Sequence, residues 1–312
     1  MNFNGQYLKS VLATTAIFAL PTISGGVALL YFLTPLPLVF LPIYLGFEKG
    51  FKIILHSILL SGVIALAFGS LSVLFFSLTL LPVGFVLARS INRKESLQLS
   101  ALYGALALAT IWFLTWLLLS ASSQSNIYVD VLKSIDTSLE EAYTVYRQSS
   151  EISADIKVEL QAIFTRVREL IPVIFPGILA VIVFGTVFIN MTLANGLLTS
   201  RNCPSWPSFR HFKLPDHFVW PVILGGVLLF TSTGWLKAAG LNLLLVFGSL
   251  FFIQGLSVLI TFFSKWSVPK LVRILILFFL IIQAYGFLLL ALLGIAEIWA
   301  NFRKPVDEIN NK

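Results

Sequence analysis

The sequence predicts an all-α protein, a polytopic transmembrane helical bundle of about 8-9 spans with an extracytoplasmic helical hairpin. Three observations carry this reading. The chain of 312 residues is 58% hydrophobic and 11% charged, with a mean hydropathy of +0.93, more apolar surface than one soluble core can hide. Its apolar runs are rich in Leu, Ile, Phe and Ala and lack the ten-residue alternation of outer-membrane strands. A bilayer offers backbone amides no partner, so helices rather than a barrel are implied. Finally, the basic residues behind the net charge of +7 sit in short clusters between apolar runs, a topology signal and not a nucleic-acid footprint.

The apolar segments fall at 10–30, 32–47, 51–69, 71–88, 97–120, 171–198, 219–235, 241–263 and 271–299, most near the roughly 20 residues that cross a hydrocarbon core. The first leads into Pro21, Gly25 and Gly26 without a small-residue cleavage site, so it is read as a span and not a leader. Segment 32–47 is short and broken by Pro35, Pro37 and Pro42, and segment 219–235 is also short. The loops around Lys49, Arg93, Arg210 and Lys270 carry net charges of +1, +2, +2 and +3, which places them in the cytoplasm. The stretch 121–170 holds eight acids against five bases and belongs on the other side. All five placements agree with nine crossings, the N-terminus inside and the C-terminus outside. The expected organisation is membrane helices over 1–120, the extracytoplasmic hairpin over 121–170, membrane helices over 171–302 containing a cytoplasmic loop at 199–218, and a polar tail over 303–312.

Within 121–170, two apolar stripes recur at three- and four-residue steps: Ile127, Val131, Ile135, Leu139, Ala142 and Tyr146, then Ile152, Ile156, Leu160, Ile163, Val167 and Leu170. Gln148, Ser149 and Ser150 separate them, Ser150 or Ser153 caps the second, and the second arm runs into the sixth span. Such a hairpin either covers a site opening outward or packs on itself or a partner. A short likeness between residues 21–29 and 221–229 is a chance match in a chain this rich in Leu, Val and Gly.

Chemistry is sparse. No His-Glu-x-x-His, Gly-x-Ser-x-Gly, Asp-rich pair or phosphate loop occurs, which argues against an enzyme and against a cofactor. Cys203, His211 and His217 match no zinc spacing, so no metal is expected. His56 and Glu297 sit near span ends, where snorkelling to the interface is favoured over a proton relay. Asn190 and Asn195 in the sixth span, Gln254 in the eighth, and Gln283 with Tyr285 in the last are the candidate ligand-binding residues, with interhelical hydrogen bonding as the alternative. Ala101, Ala105 and Ala109, and Gly248 and Gly255, form small-residue faces for close helix packing. In the loop after the sixth span, Trp206, Phe209, Phe212 and Trp220 read as residues at headgroup level.

The run Phe209, Arg210, His211, Phe212, Lys213, Leu214, Pro215, Asp216, leading into Val219, Trp220 and Pro221, resembles the F-R-x-W-x-L-P-(D/E) signature of the YybS-like family of bacterial multi-pass membrane proteins. Phe212 stands where that family more often has Trp. The resemblance covers most of the chain and implies a bacterial inner-membrane location. The family's first spans are in turn similar to the substrate-capturing subunits of energy-coupling-factor transporters. That similarity implies a transporter-like fold, a small-molecule or lipid ligand bound without catalysis, and a partner membrane subunit with an ATPase module. The lipid bilayer is the further expected partner; the alternative function is a non-catalytic scaffold that recruits envelope partners, with a lipid-modifying membrane enzyme as a remote third.

Overall fold

The computed structural model describes residues 3–123, 126–150, 152–231 and 234–303, and every regular element among them is helical. In chain order these are α1 (Phe3–Ile23), α2 (Pro35–Leu45), α3 (Phe47–Ala67), α4 (Leu71–Leu78), α5 (Leu81–Asn92), α6 (Leu97–Ser123), α7 (Ile127–Gln148), α8 (Ala154–Thr199), α9 (Val219–Leu228), α10 (Gly234–Lys265), α11 (Lys270–Ile282) and α12 (Ala284–Ala300). Among the described residues, five helices are long and apolar enough to cross a membrane: α3, the continuous α4–α5 run over Leu71–Asn92, α6, α8 and α10. The pair α11 and α12, bent by 106° at a short break, raises this to six if taken as one span.

That count is below the eight or nine read from hydropathy, and the proline content explains part of the gap. Pro35 and Pro37 open α2, where a missing N–H costs nothing, but the preceding residues Gly25–Leu33 form only a 3-10 helix with a non-helical Val27. Residues 29–45 and 216–228 are therefore short apolar helices rather than full-length ones. Residues 21–29 lie across the end of α1 and this 3-10 helix whereas 221–229 are α9, so the two similar stretches do not share a conformation.

The chain divides into two compact units. The first comprises residues 1–112, 182–216 and 250–312. Its core is built where α1, α2 and α3 meet, from Val11, Phe18, Leu38, Leu41, Ile53 and Ile54. Ser57 donates to Val11 O and Ser61 to Thr15 O, joining α3 to α1. A Cβ on Gly50 would run into the Pro42 backbone, and one on Gly84 into Pro35 O, so these glycines set how closely α3 and α5 approach α2. Likewise Gly255 of α10 and Gly294 of α12 pack against each other's helix backbone, while Gly248 faces open space. The small-residue face expected at 248 and 255 is thus used at one of its two positions, and inside the chain.

The second unit comprises residues 113–181 and 217–249. Here Pro176 leaves Pro172 O without its helical donor, and the Tyr128 hydroxyl donates to that carbonyl at 3.3 Å. One residue on, Asn242 of α10 inserts into the α8 ladder: its Oδ1 accepts from Gly177 N at 2.6 Å and its Nδ2 donates to Val173 O at 2.8 Å. The same unit contains α7 and the N-terminal part of α8. Asn126 caps α7 through Tyr128 N, and Ser153 accepts from Ile156 N at the start of α8.

Candidate functional site

The polar membrane residues do not converge. Asn190 is fully buried, and its Nδ2 donates to Phe32 O at 2.5 Å and to Thr186 O at 2.7 Å. Asn195 reaches only Pro207 O, at 3.5 Å, beside a cleft of about 30 Å³, space for about one water. Gln254, also fully buried, accepts from Leu214 N at 2.7 Å and donates to Gly294 O at 2.8 Å. Gln283 and Tyr285 are exposed at the break between α11 and α12. Each of the five therefore serves its own neighbourhood, and the amides mostly bind backbone carbonyls. The Oδ1 atoms of Asn190 and Asn195 remain buried with no hydrogen-bond partner.

The motif loop is partly buried in the first unit. Trp206 is 4% exposed and donates its indole N–H to Ser100 Oγ at 2.9 Å, and Phe212 and Leu214 are buried as well. Phe209 and Phe212 both pack on Phe188. Lys213 keeps its charge at the surface in a 3.3 Å pair with Asp216, and its carbonyl accepts from Gln98. Arg210 and Trp220 are exposed, Trp220 as the sequence suggests.

What holds this loop was not visible from its own residues. Arg303, one turn past α12, donates Nη1 to Arg210 O at 2.8 Å, Phe212 O at 2.9 Å and Ser257 Oγ at 3.1 Å. Its Nε pairs with Glu297 Oε1 at 2.8 Å, and Phe302 N donates to Glu297 Oε2 at 2.8 Å. Asn301 makes the turn possible by adopting a left-handed conformation with φ 45°. Glu297, 2% exposed, is thus a buried member of an ion pair and not a snorkelling interfacial acid. His56, by contrast, is exposed and contacts the Tyr7 hydroxyl and Lys52 O.

These contacts also fix which ends lie together. Gln6 and Arg201 both bond the Tyr44 hydroxyl, Tyr7 meets His56, and Arg303 meets Arg210. The start of α1, the end of α2, the 199–216 loop and the end of α12 therefore share one end of the first unit. The last described residue, Arg303, thus lies beside the 199–216 loop.

In the second unit, α7 packs on the first turns of α8 through an ionic fork. Arg168 donates Nε and Nη2 to the two oxygens of Asp136, at 2.5 and 2.8 Å, and Nη1 to Glu140 Oε2 at 2.6 Å. The Arg168 guanidinium holds the Asp136 carboxyl below the usual aspartate value. Phe164 packs against Tyr143 and Tyr146 at ring separations of 5.4 and 6.3 Å. No described residue of α7 is buried, and Val145 and Val158 are 69% and 68% exposed. Between the arms lies a cleft of about 460 Å³. Among the described residues, no three His, Cys, Asp or Glu side chains gather as metal ligands would.

No curated protein and no solved structure matches the chain. One family of sequences does, over residues 11–298, and it spans both units and the motif loop. Together with the apolar helices, that match establishes a multi-pass membrane protein: the chain belongs to the family described as "Predicted membrane protein (DUF2232)".

Proposed function

We propose that the protein is a non-catalytic scaffold of the bacterial cytoplasmic membrane, with the α7–α8 hairpin as its recognition element outside the cell membrane. The observation that carries this reading is the hairpin's uncovered apolar surface. Val129, Val145, Ile156, Val158 and Ile163 stand exposed on helices that bury none of α7, and each branched side chain left in water forgoes about 1.5–3 kcal/mol of burial. The motif loop is the weaker recruiting element, since its Phe209 and Phe212 carbonyls already accept from Ser257 and Arg303 and its Leu214 N–H already donates to Gln254.

In this reading the basic end of the first unit faces the cytoplasm, because Arg201, Arg210 and Arg303 lie there together with Tyr44 at the end of α2, and α3 follows at once with Lys49 and Lys52. Phe3 and Arg303, the ends of the described residues, then lie inside, and the number of crossings between them is even. Eight are proposed: α1, the 29–45 run, α3, α4–α5, α6, α8, α9 and α10, with α11 and α12 entering and leaving on one side. The 46 residues of α8 extend about 69 Å at 1.5 Å per residue, long enough to cross and still project the arm carrying Arg168.

The test is site-specific photo-crosslinking in native membranes from Val145 and Val158, with Leu59 as a lipid-facing reference. A discrete protein or glycan adduct at the hairpin positions, absent at Leu59, is expected. Lipid adducts alone at Val145 and Val158 would place the hairpin on the bilayer and overturn the recognition role.

A second reading, ligand capture between the helices as in energy-coupling-factor subunits, is favoured by the unpartnered Oδ1 atoms of Asn190 and Asn195. Native mass spectrometry of the purified protein tests it. A retained small molecule that disappears in Asn190→Leu supports capture, and a bare protein removes it.

A further inference from the structure

The cleft between the hairpin arms has a composition that selects a ligand. Its floor is aromatic, from Tyr143 and Phe164, and its walls are planar polar groups: Glu140 and Arg147 from α7, Gln161 and Arg168 from α8. At about 460 Å³ it falls in the size range of small-molecule sites. The groups differ in what they still offer. All three donor nitrogens of Arg168 are engaged by Asp136 and Glu140, so its charge is compensated and its plane is fixed. Among the described residues, Arg147, Gln161 and the Tyr143 hydroxyl make no hydrogen bond or ion pair within the protein, and together they supply donors and acceptors to the cleft.

We infer that this cleft binds a saccharide, neutral or carrying a single negative charge. A sugar ring presents apolar C–H groups on its faces and hydroxyls around its rim. Half-buried aromatic rings accept the former, and planar Arg, Gln and Glu side chains pair with adjacent hydroxyls in bidentate fashion. An acyl chain would leave Arg147 and Gln161 facing hydrocarbon, at the cost that buried unpaired polar groups carry. A multiply charged anion would meet one uncompensated lining cation, Arg147, in a cleft that the Glu140 carboxylate also lines. The inference rests on the hairpin being the recognition element, and names the ligand class of that element.

Saturation-transfer NMR on the full chain in lipid nanodiscs tests it, with a panel of hexose, hexosamine, N-acetylhexosamine and hexuronate disaccharides as probes and tri-alanine as the peptide control. Transfer to ring C–H protons of at least one disaccharide is expected, with tri-alanine silent. Binding should weaken at least tenfold in Arg147→Ala and in Phe164→Leu. The first alters an exposed side chain with no intramolecular partner, so the hairpin stays folded, and helical circular dichroism checks the second. No transfer from any disaccharide, equal transfer from tri-alanine, or binding unchanged in both variants would overturn the saccharide assignment. If adducts at Val145 and Val158 persist in that event, only the ligand class falls; if they vanish too, the recognition reading falls with it.

Discussion

Glu297 and Arg303 form the contact with the largest consequence at the scale of single residues. Breaking a buried ion pair by removing one partner costs about 3–5 kcal/mol, whereas replacing both with apolar groups can be nearly neutral. Arg303→Ala is therefore expected to lower the thermal midpoint and expose the loop to cleavage after Arg210. The double variant Glu297→Gln, Arg303→Met should be less destabilised than either change alone, as a thermal-shift cycle would reveal. Gln254→Leu should also destabilise, by about 1–3 kcal/mol for each stranded group, since Leu214 N and Gly294 O both lose their partner. Asp136 responds to pH instead. Its carboxyl is held below the ordinary value by Arg168, so its contribution is complete above about pH 4 and is lost as pH falls through the depressed folded value. A spin-label distance between the hairpin arms should hold constant from pH 7 to about 4 and widen only below that.

Between elements, close approach and ladder repair do most of the fixing. A Cβ at Gly255 would overlap Leu290 O, so Gly255→Val is expected to separate α10 from α12 and release the Gln254 bridge, detectable as faster hydrogen exchange around Leu214. Asn242 performs the corresponding task in the second unit, where Pro176 interrupts α8. These elements also show what could be read from the sequence. Apolar runs located most of the membrane helices, periodicity located α7, and periodicity with Ser153 located the start of α8, because those signals are local. The partner of a buried Asn or Gln is not local. Asn190 and Gln254 were recognisable as polar residues in spans, but their targets, Phe32 O and Leu214 N, lie 158 and 40 residues away. The partner of Trp206 was hidden for the same reason: its indole N–H donates to Ser100, 106 residues earlier in the chain.

For the molecule as a whole, the weakest sequence inference was the number of crossings, because α9, the 29–45 run and the bent α11–α12 pair are each too short or too broken for hydropathy to decide. In the proposed topology, contacts near the ends of the described residues set the parity that hydropathy leaves open. Arg303 against Arg210, and Gln6 and Arg201 against Tyr44, tie the described ends to one side. The account then requires the hairpin on the opposite side, reached by α6 and left by α8, each long and apolar enough to cross. Single cysteines introduced in a Cys203→Ser background at Val145 and at Phe302, probed in intact cells with a membrane-impermeant maleimide, test this most directly. Labelling of Val145→Cys from outside, with Phe302→Cys reacting only after permeabilisation, is the expected result. Reaction of both from the same side would contradict the arrangement on which the recognition hairpin depends.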